Sequence, residues 1–183
     1  MSFVVPDGAV LVADGGLATE LEARGNDLSD ALWSARLLMD APGRVRDAHL
    51  AFFQAGAVIA TSASYQASFE GFARRGLGRR DAAGLMRRSV DLARAARAEM
   101  AGDGVPRWVA ASAGPYGATL ADGSEYRGRY GLSVRELTAW HRPRLEVLAE
   151  AGPDVLALET VPDTDEGEAL MAAIAGLGIP AWL

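Results

Sequence analysis

Two carboxylates in this sequence sit at the ends of apolar runs, where a carboxylate is least at home. In "VLALETVPD", residues 155–163, four apolar residues lead directly into Glu159, and in "AVLVADGG", residues 9–16, a similar run ends on Asp14. A buried carboxylate becomes tolerable when a cation pairs with it, so two of them facing one cavity suit a ligand that carries an ammonium group. The other apolar runs end on hydroxyls: Thr61, Ser62 and Ser64 in "AVIATSASY", and Ser112 in "RWVAASAGPYG". Local readings compete with this one. Asp14 before two glycines also reads as a turn residue, and Glu159 as a cap for the next helix. Glu is a poor N-cap, however, and Pro162 intervenes. Four polar run ends in succession favour a site.

The elements that must position these groups follow from periodicity. Strands are expected over 9–16, 57–65, 107–117 and 154–160, with a fifth beginning at "IPAWL". Between them lie amphipathic helices. One begins with Pro42 at its first position, buries Val45, Ala48, Phe52 and Phe53, and stops at Gly56. Another covers roughly 80–101, with Met86, Val90, Ala93 and Ala96 as its apolar stripe. A third is opened by Ser133 and Glu136 at capping-box spacing, with Pro143 expected to bend or divide it. Asp163 and Glu166 have the spacing of a further box. Apolar strands alternating with helices give an α/β fold with a parallel sheet. In a (β/α)8 barrel the carboxyl ends of the strands converge on one face, and in a doubly wound sheet they border a crevice. Periodicity alone does not choose between them, and the polar strand ends favour the barrel. The segment "YGATLADGSEYRGRYG", 116–131, is a long polar insertion of the functional-loop kind.

Composition removes several classes. With 183 residues, half of them hydrophobic, the chain can bury the core of one domain. Its net charge of −6 argues against a nucleic-acid footprint. No apolar run has the length of a membrane span, and the N-terminus lacks the pattern of a signal peptide, so a cytoplasmic location is the expectation. The chain has no cysteine, which removes thiol nucleophiles and thiolate metal sites. The two histidines do not make a zinc site. His49 falls on the apolar stripe of its helix and reads as a packed residue, and His141, beside Arg142, Pro143 and Arg144, as one that orients a loop or bend.

The blocks "DGGLATELEARG", "TSASYQASFEGFARRG", "GPYGATLADGSEYRGRY", "HRPRLEVLAEAG" and "LALETVPD", in this order, resemble the homocysteine S-methyltransferases of the type that uses S-methylmethionine. The resemblance implies a (β/α)8 barrel that transfers a methyl group from a sulfonium donor, S-methylmethionine or S-adenosylmethionine, to the thiol of homocysteine or a selenium analogue. It implies a zinc ion that turns a thiol of pKa about 8.5 into the attacking thiolate. It also implies that Asp14 and Glu159 hold the amino group of homocysteine, and that the hydroxyls of Thr61, Ser62 and Ser64 meet the substrate's polar end. Tyr65, Tyr116 and Tyr126 are candidates to flank the sulfonium, a contact worth roughly 0.5–2 kcal/mol. As wall or core aromatics they need no ligand.

One departure from the family is large. Its zinc is held by three cysteine thiolates on later strands, and this chain has none. A complete barrel of this kind runs to about 250 residues. The expectation is that residues 1–183 are the N-terminal part of a single homocysteine-binding domain, covering about strands 1 to 5, with the zinc cysteines beyond Leu183. A chain supplying the C-terminal part is then an expected partner, and the 183 residues alone are expected to be inactive. The alternatives are a metal-free amino-acid-binding module and a non-catalytic remnant or interaction protein.

Overall fold

The computed structural model describes residue 3, residue 5, residues 7–28 and residues 34–183. The elements run, in chain order, α1 (Leu17–Ala23), α2 (Ser34–Asp40), α3 (Pro42–Gln54), β1 (Ile59–Thr61), α4 (Phe69–Ala73), α5 (Arg79–Glu99), β2 (Trp108–Ala113), α6 (Val134–Glu150), β3 (Val155–Leu158), α7 (Thr164–Ile174) and β4 (Ala181–Trp182). The four strands form one parallel sheet in the order β1-β2-β3-β4, with Thr61 opposite Ala110, Ser112 opposite Ala157 and Ala157 opposite Trp182. Each crossover passes through helix, as parallel pairing requires.

The first expected strand is a correction. Of residues 9–16, only Ala13 pairs, as a single parallel bridge to Ile59, extended by the hydrogen bonds from Val58 N to Val12 O and from Asp14 N to Ile59 O. Its apolar alternation meets a sheet on one side only, and Val10 and Val12 remain 89% and 57% exposed. Pro143 does not divide its helix, because α6 continues through it from Val134 to Glu150. The Ser133 capping box forms as expected.

Strand alternation sorts the core into two faces. Ala60, Val109, Ala111, Ala113, Leu156 and Leu158 join residues of every helix in the main apolar cluster. The alternate residues Ile59, Ala110, Val155 and Ala157 form a smaller cluster with Phe3, Leu11, Trp108 and Trp182. All the helices therefore contribute to one face of the sheet. On α5, the expected stripe of Met86, Val90, Ala93 and Ala96 is fully buried, each Met or Val contributing roughly 1.5–3 kcal/mol. No helix among the described residues is long and apolar enough to cross a membrane.

Candidate functional site

The same alternation places the polar strand ends. Thr61 follows Ile59, Ser112 follows Ala110, and Glu159 follows Val155 and Ala157, so all three continue the face that lacks helices. There they border a cleft of about 610 Å³ with Asp14, Gly15, Ser62, Tyr65, Gln66 and Trp182. Every polar group in it comes from the carboxyl end of a strand or from the loop just after one.

Asp14 is gripped by its neighbour. Its Oδ2 accepts the Thr61 backbone N–H at 2.7 Å and its Oδ1 accepts the Thr61 hydroxyl at 2.7 Å. Burial nevertheless raises its pKa from 3.8 to about 6, with the nearby Glu159 carboxylate adding to the rise. Glu159 takes a short hydrogen bond from the Ser112 hydroxyl, and burial raises its pKa as well. No arginine is hydrogen-bonded or ion-paired to either carboxylate among the described residues. The two acids are thus desolvated near one another, and each is hydrogen-bonded by neutral donors.

Glu159 is also aimed by its backbone. Thr160 has φ of 57°, a left-handed conformation that is strained for a β-branched residue. Its side chain hydrogen-bonds to Tyr65, whose hydroxyl burial pushes up to about 12. The Tyr65 ring in turn lies against Gly114, where an added Cβ would come within 2.6 Å of it.

The expected site residues are not all brought together. Asp14, Glu159, Thr61, Ser62 and Tyr65 line the cleft, and Ser64, Tyr116 and Tyr126 do not. Ser64 lies behind it, bonded to Ser62 Oγ at 2.7 Å and to Ser112 O at 2.7 Å. Tyr116 packs on Tyr130 and Trp140, and Tyr126 is 73% exposed. Gln66 and Ser112 border the cleft without having been singled out as binding residues. Ser112 was legible as a strand end; Gln66 follows Tyr65 with no local signal of its own.

A second polar centre lies nearby, between α6, α7 and the 116–131 segment. Glu166 accepts from Tyr116 N at 2.5 Å and from the Tyr130 hydroxyl at 3.0 Å, and lies 2.8 Å from His141 Nε2. Arg144, fully buried, reaches His141 Nδ1 at 3.2 Å and the carbonyl of Gly114 in a short bond, with its guanidinium 4.5 Å above the Trp140 ring. Glu166 therefore does not complete a box with Asp163. Asp163 Oδ1 accepts the Glu166 N–H at 3.0 Å, but the glutamate side chain is used across the core. The 116–131 segment is tied down in this way rather than left as a free loop.

The chain is an α/β protein with a carboxylate-bordered cleft at the carboxyl ends of its parallel strands. Residues 11–183 match the sequence family described as homocysteine S-methyltransferase, and the chain belongs to that family. Homocysteine S-methyltransferase 4 of Zea mays is 49% identical over 192 residues, which cover 98% of this chain and 56% of the maize protein. Homocysteine S-methyltransferase of Escherichia coli is 51% identical over 164 residues, covering 88% of this chain and 53% of that protein. The crystal structure of the Escherichia coli homocysteine methyltransferase MmuM in its metallated form superimposes with a TM-score of 0.91 at 48% identity, over 97% of this chain and 63% of that one. The chain spans about half the length of the curated relatives it matches.

The zinc ion that the sequence resemblance implies finds no matching donors among the described residues. Among the described residues no group of three or more His, Asp or Glu converges as a metal site, and there is no cysteine. Asp14 and Glu159 offer hard carboxylate oxygens already engaged by Thr61 and Ser112, unlike the soft thiolates of a Cys-rich zinc site.

Proposed function

We propose that residues 1–183 carry the amino-acid-binding half of a (β/α)8 homocysteine S-methyltransferase acting in the cytoplasm. The observation that carries the reading is the Asp14–Glu159 pair, two desolvated carboxylates of raised pKa lining one cleft with no arginine bonded to either among the described residues. The ammonium group of homocysteine supplies the missing charge, and Ser62 and Gln66 line the path of its remaining polar atoms. With the amine fixed, the thiol end extends along the apolar floor of the cleft. The positioning of helices on one face of the sheet supports a barrel over a doubly wound sheet, which has helices on both.

In this reading the zinc, its three cysteines and the means of ionising the thiol belong to sequence outside these 183 residues. None of the residues described here performs that step. Donor binding is likewise shared, and Tyr65, the cleft-lining tyrosine, is the contribution of this half to a sulfonium from S-methylmethionine or S-adenosylmethionine.

The test is methyl transfer from S-methylmethionine to homocysteine with added zinc, for the 183-residue chain alone and for the chain mixed with a polypeptide supplying the C-terminal part of a relative. Turnover in the mixture only is the expected result. Turnover by the chain alone would overturn the division of labour. A folded chain inert in both, and binding no homocysteine, would overturn the amino-acid site itself.

A further inference from the structure

His49 neither lines the cleft nor belongs to the Glu166 cluster. It is fully buried on α3, and neither ring nitrogen has a hydrogen-bond partner. A neutral imidazole always carries one N–H, and leaving that donor unsatisfied in the core is costly. Its Nδ1 lies 4.0 Å from Oδ2 of Asp14, within about 1 Å of hydrogen-bond range. The next helical turn fixes this approach, because the Phe52 ring backs Gly15 closely enough that a Cβ there would sit 3.2 Å from it. The histidine therefore stands directly behind the substrate carboxylate, on the side away from the cleft.

We propose that His49 is a positioning residue for Asp14, its neutral imidazole directing Nδ1–H at the carboxylate so that Asp14 is held ionised and oriented for an arriving amine. The inference rests on the proposed amino-acid site and deepens it. Three groups face Asp14: Thr61 on β1, which donates twice; Glu159 after β3, whose charge opposes a second negative charge; and His49 on α3. Of these, Thr61 favours the ionised acid and Glu159 disfavours it. His49 adds a second donor toward Oδ2, the oxygen that also accepts the Thr61 N–H. It remains neutral while doing so, since burial lowers its own pKa to about 4.

The experiment is the titration of the Asp14 carboxylate by carbon-13 NMR in the ligand-free chain, for the wild type and for His49→Asn, His49→Gln and His49→Leu. Asn places its amide near the position of Nδ1, and Gln near that of Nε2. The wild-type midpoint is expected near 6, with Asn close to it and with Gln and Leu displaced upward by roughly one pH unit, the scale of one lost hydrogen bond. Homocysteine affinity at pH 6 should fall severalfold in the same two variants. An unmoved midpoint in the Gln variant, or an Asn variant displaced as far as Gln, would overturn the proposal even if the Leu variant failed to fold. Loss of homocysteine binding by the wild type, with the midpoints still ordered in this way, would instead count against the amino-acid site and leave His49 in its role beside Asp14.

Discussion

Two clusters in this molecule bury carboxylates within neighbouring parts of the fold, and they solve the problem in opposite ways. Around Glu166 the protein supplies everything: a backbone N–H, a tyrosine hydroxyl, a histidine and, one residue further, the Arg144 guanidinium. Around Asp14 and Glu159 the hydrogen bonds come from two hydroxyls and one backbone amide, the neutral His49 ring stands 4.0 Å from Asp14, and both acids have raised pKa values. The first cluster is closed and holds α6, α7 and the 116–131 segment together. The second is open toward a cleft and lacks one positive charge. Burial of a carboxylate therefore does not by itself separate the two clusters; the proposed binding role of the second rests on its having no arginine bonded to it among the described residues.

The largest effect should come from breaking the closed cluster. Glu166→Leu leaves Tyr116 N, the Tyr130 hydroxyl and His141 Nε2 without their partner and removes the strongest negative charge acting on the buried Arg144, and breaking a buried charged network of this kind costs about 3–5 kcal/mol. Urea denaturation should show that loss, whereas a change below about 1 kcal/mol would mean that the cluster is not the clamp the comparison requires.

Asp14→Asn should do the reverse, sacrificing function while sparing the fold. The Asn amide can accept from Thr61 N and donate to Thr61 Oγ1, so the local bonds survive, but affinity for homocysteine should fall at least about 100-fold with the loss of one charge pair. Because the folded pKa of Asp14 is raised from 3.8 to about 6, the folded state holds this proton more tightly than the unfolded chain does. Its cost is absent below pH 3.8 and complete above about 6. The Asn variant should therefore be more stable than the wild type at pH 7.5, by up to about 3 kcal/mol, with the gap closing on acidification. Equal stability at both pH values would show that burial does not burden Asp14.

The open cluster was legible in the sequence and the closed one was not. Asp14 and Glu159 announce themselves as acids at the ends of apolar runs, and period-two alternation from Ile59, Ala110 and Val155 carries Thr61, Ser112 and Glu159 onto one face. Helix boundaries followed from local chemistry, as with Pro42 and the Ser133 box. The link between His141 and Glu166 spans 25 positions and that between Tyr116 and Glu166 spans 50, and no local spacing encodes such meetings. Asp163 and Glu166 had the right separation for a capping box, yet tertiary partners claimed the glutamate. The run 9–16 pairs at Ala13 alone for a related reason: alternation specifies a face and not the length of the ladder its neighbour offers. His49 shows the limit from the other direction, since an apolar stripe predicts its burial and says nothing of the carboxylate it packs beside.

The smallest effect sharpens the comparison most, because it separates strain from stability at the open site. Thr160 holds a left-handed backbone that glycine would adopt freely, so Thr160→Gly removes a local cost of about 1 kcal/mol or more. It also removes the hydrogen bond to Tyr65 and gives the unfolded chain more freedom to lose, two terms of similar size and opposite sign. Net stability should therefore change by less than about 1 kcal/mol. Binding should respond differently if the left-handed turn at Thr160 orients the neighbouring Glu159. A homocysteine affinity weakened about 3- to 10-fold at unchanged melting temperature would show that the strain orients the carboxylate. Unchanged affinity would show that Ser112 alone holds Glu159, and the left-handed turn would then be a feature of the chain path after β3 rather than of the site.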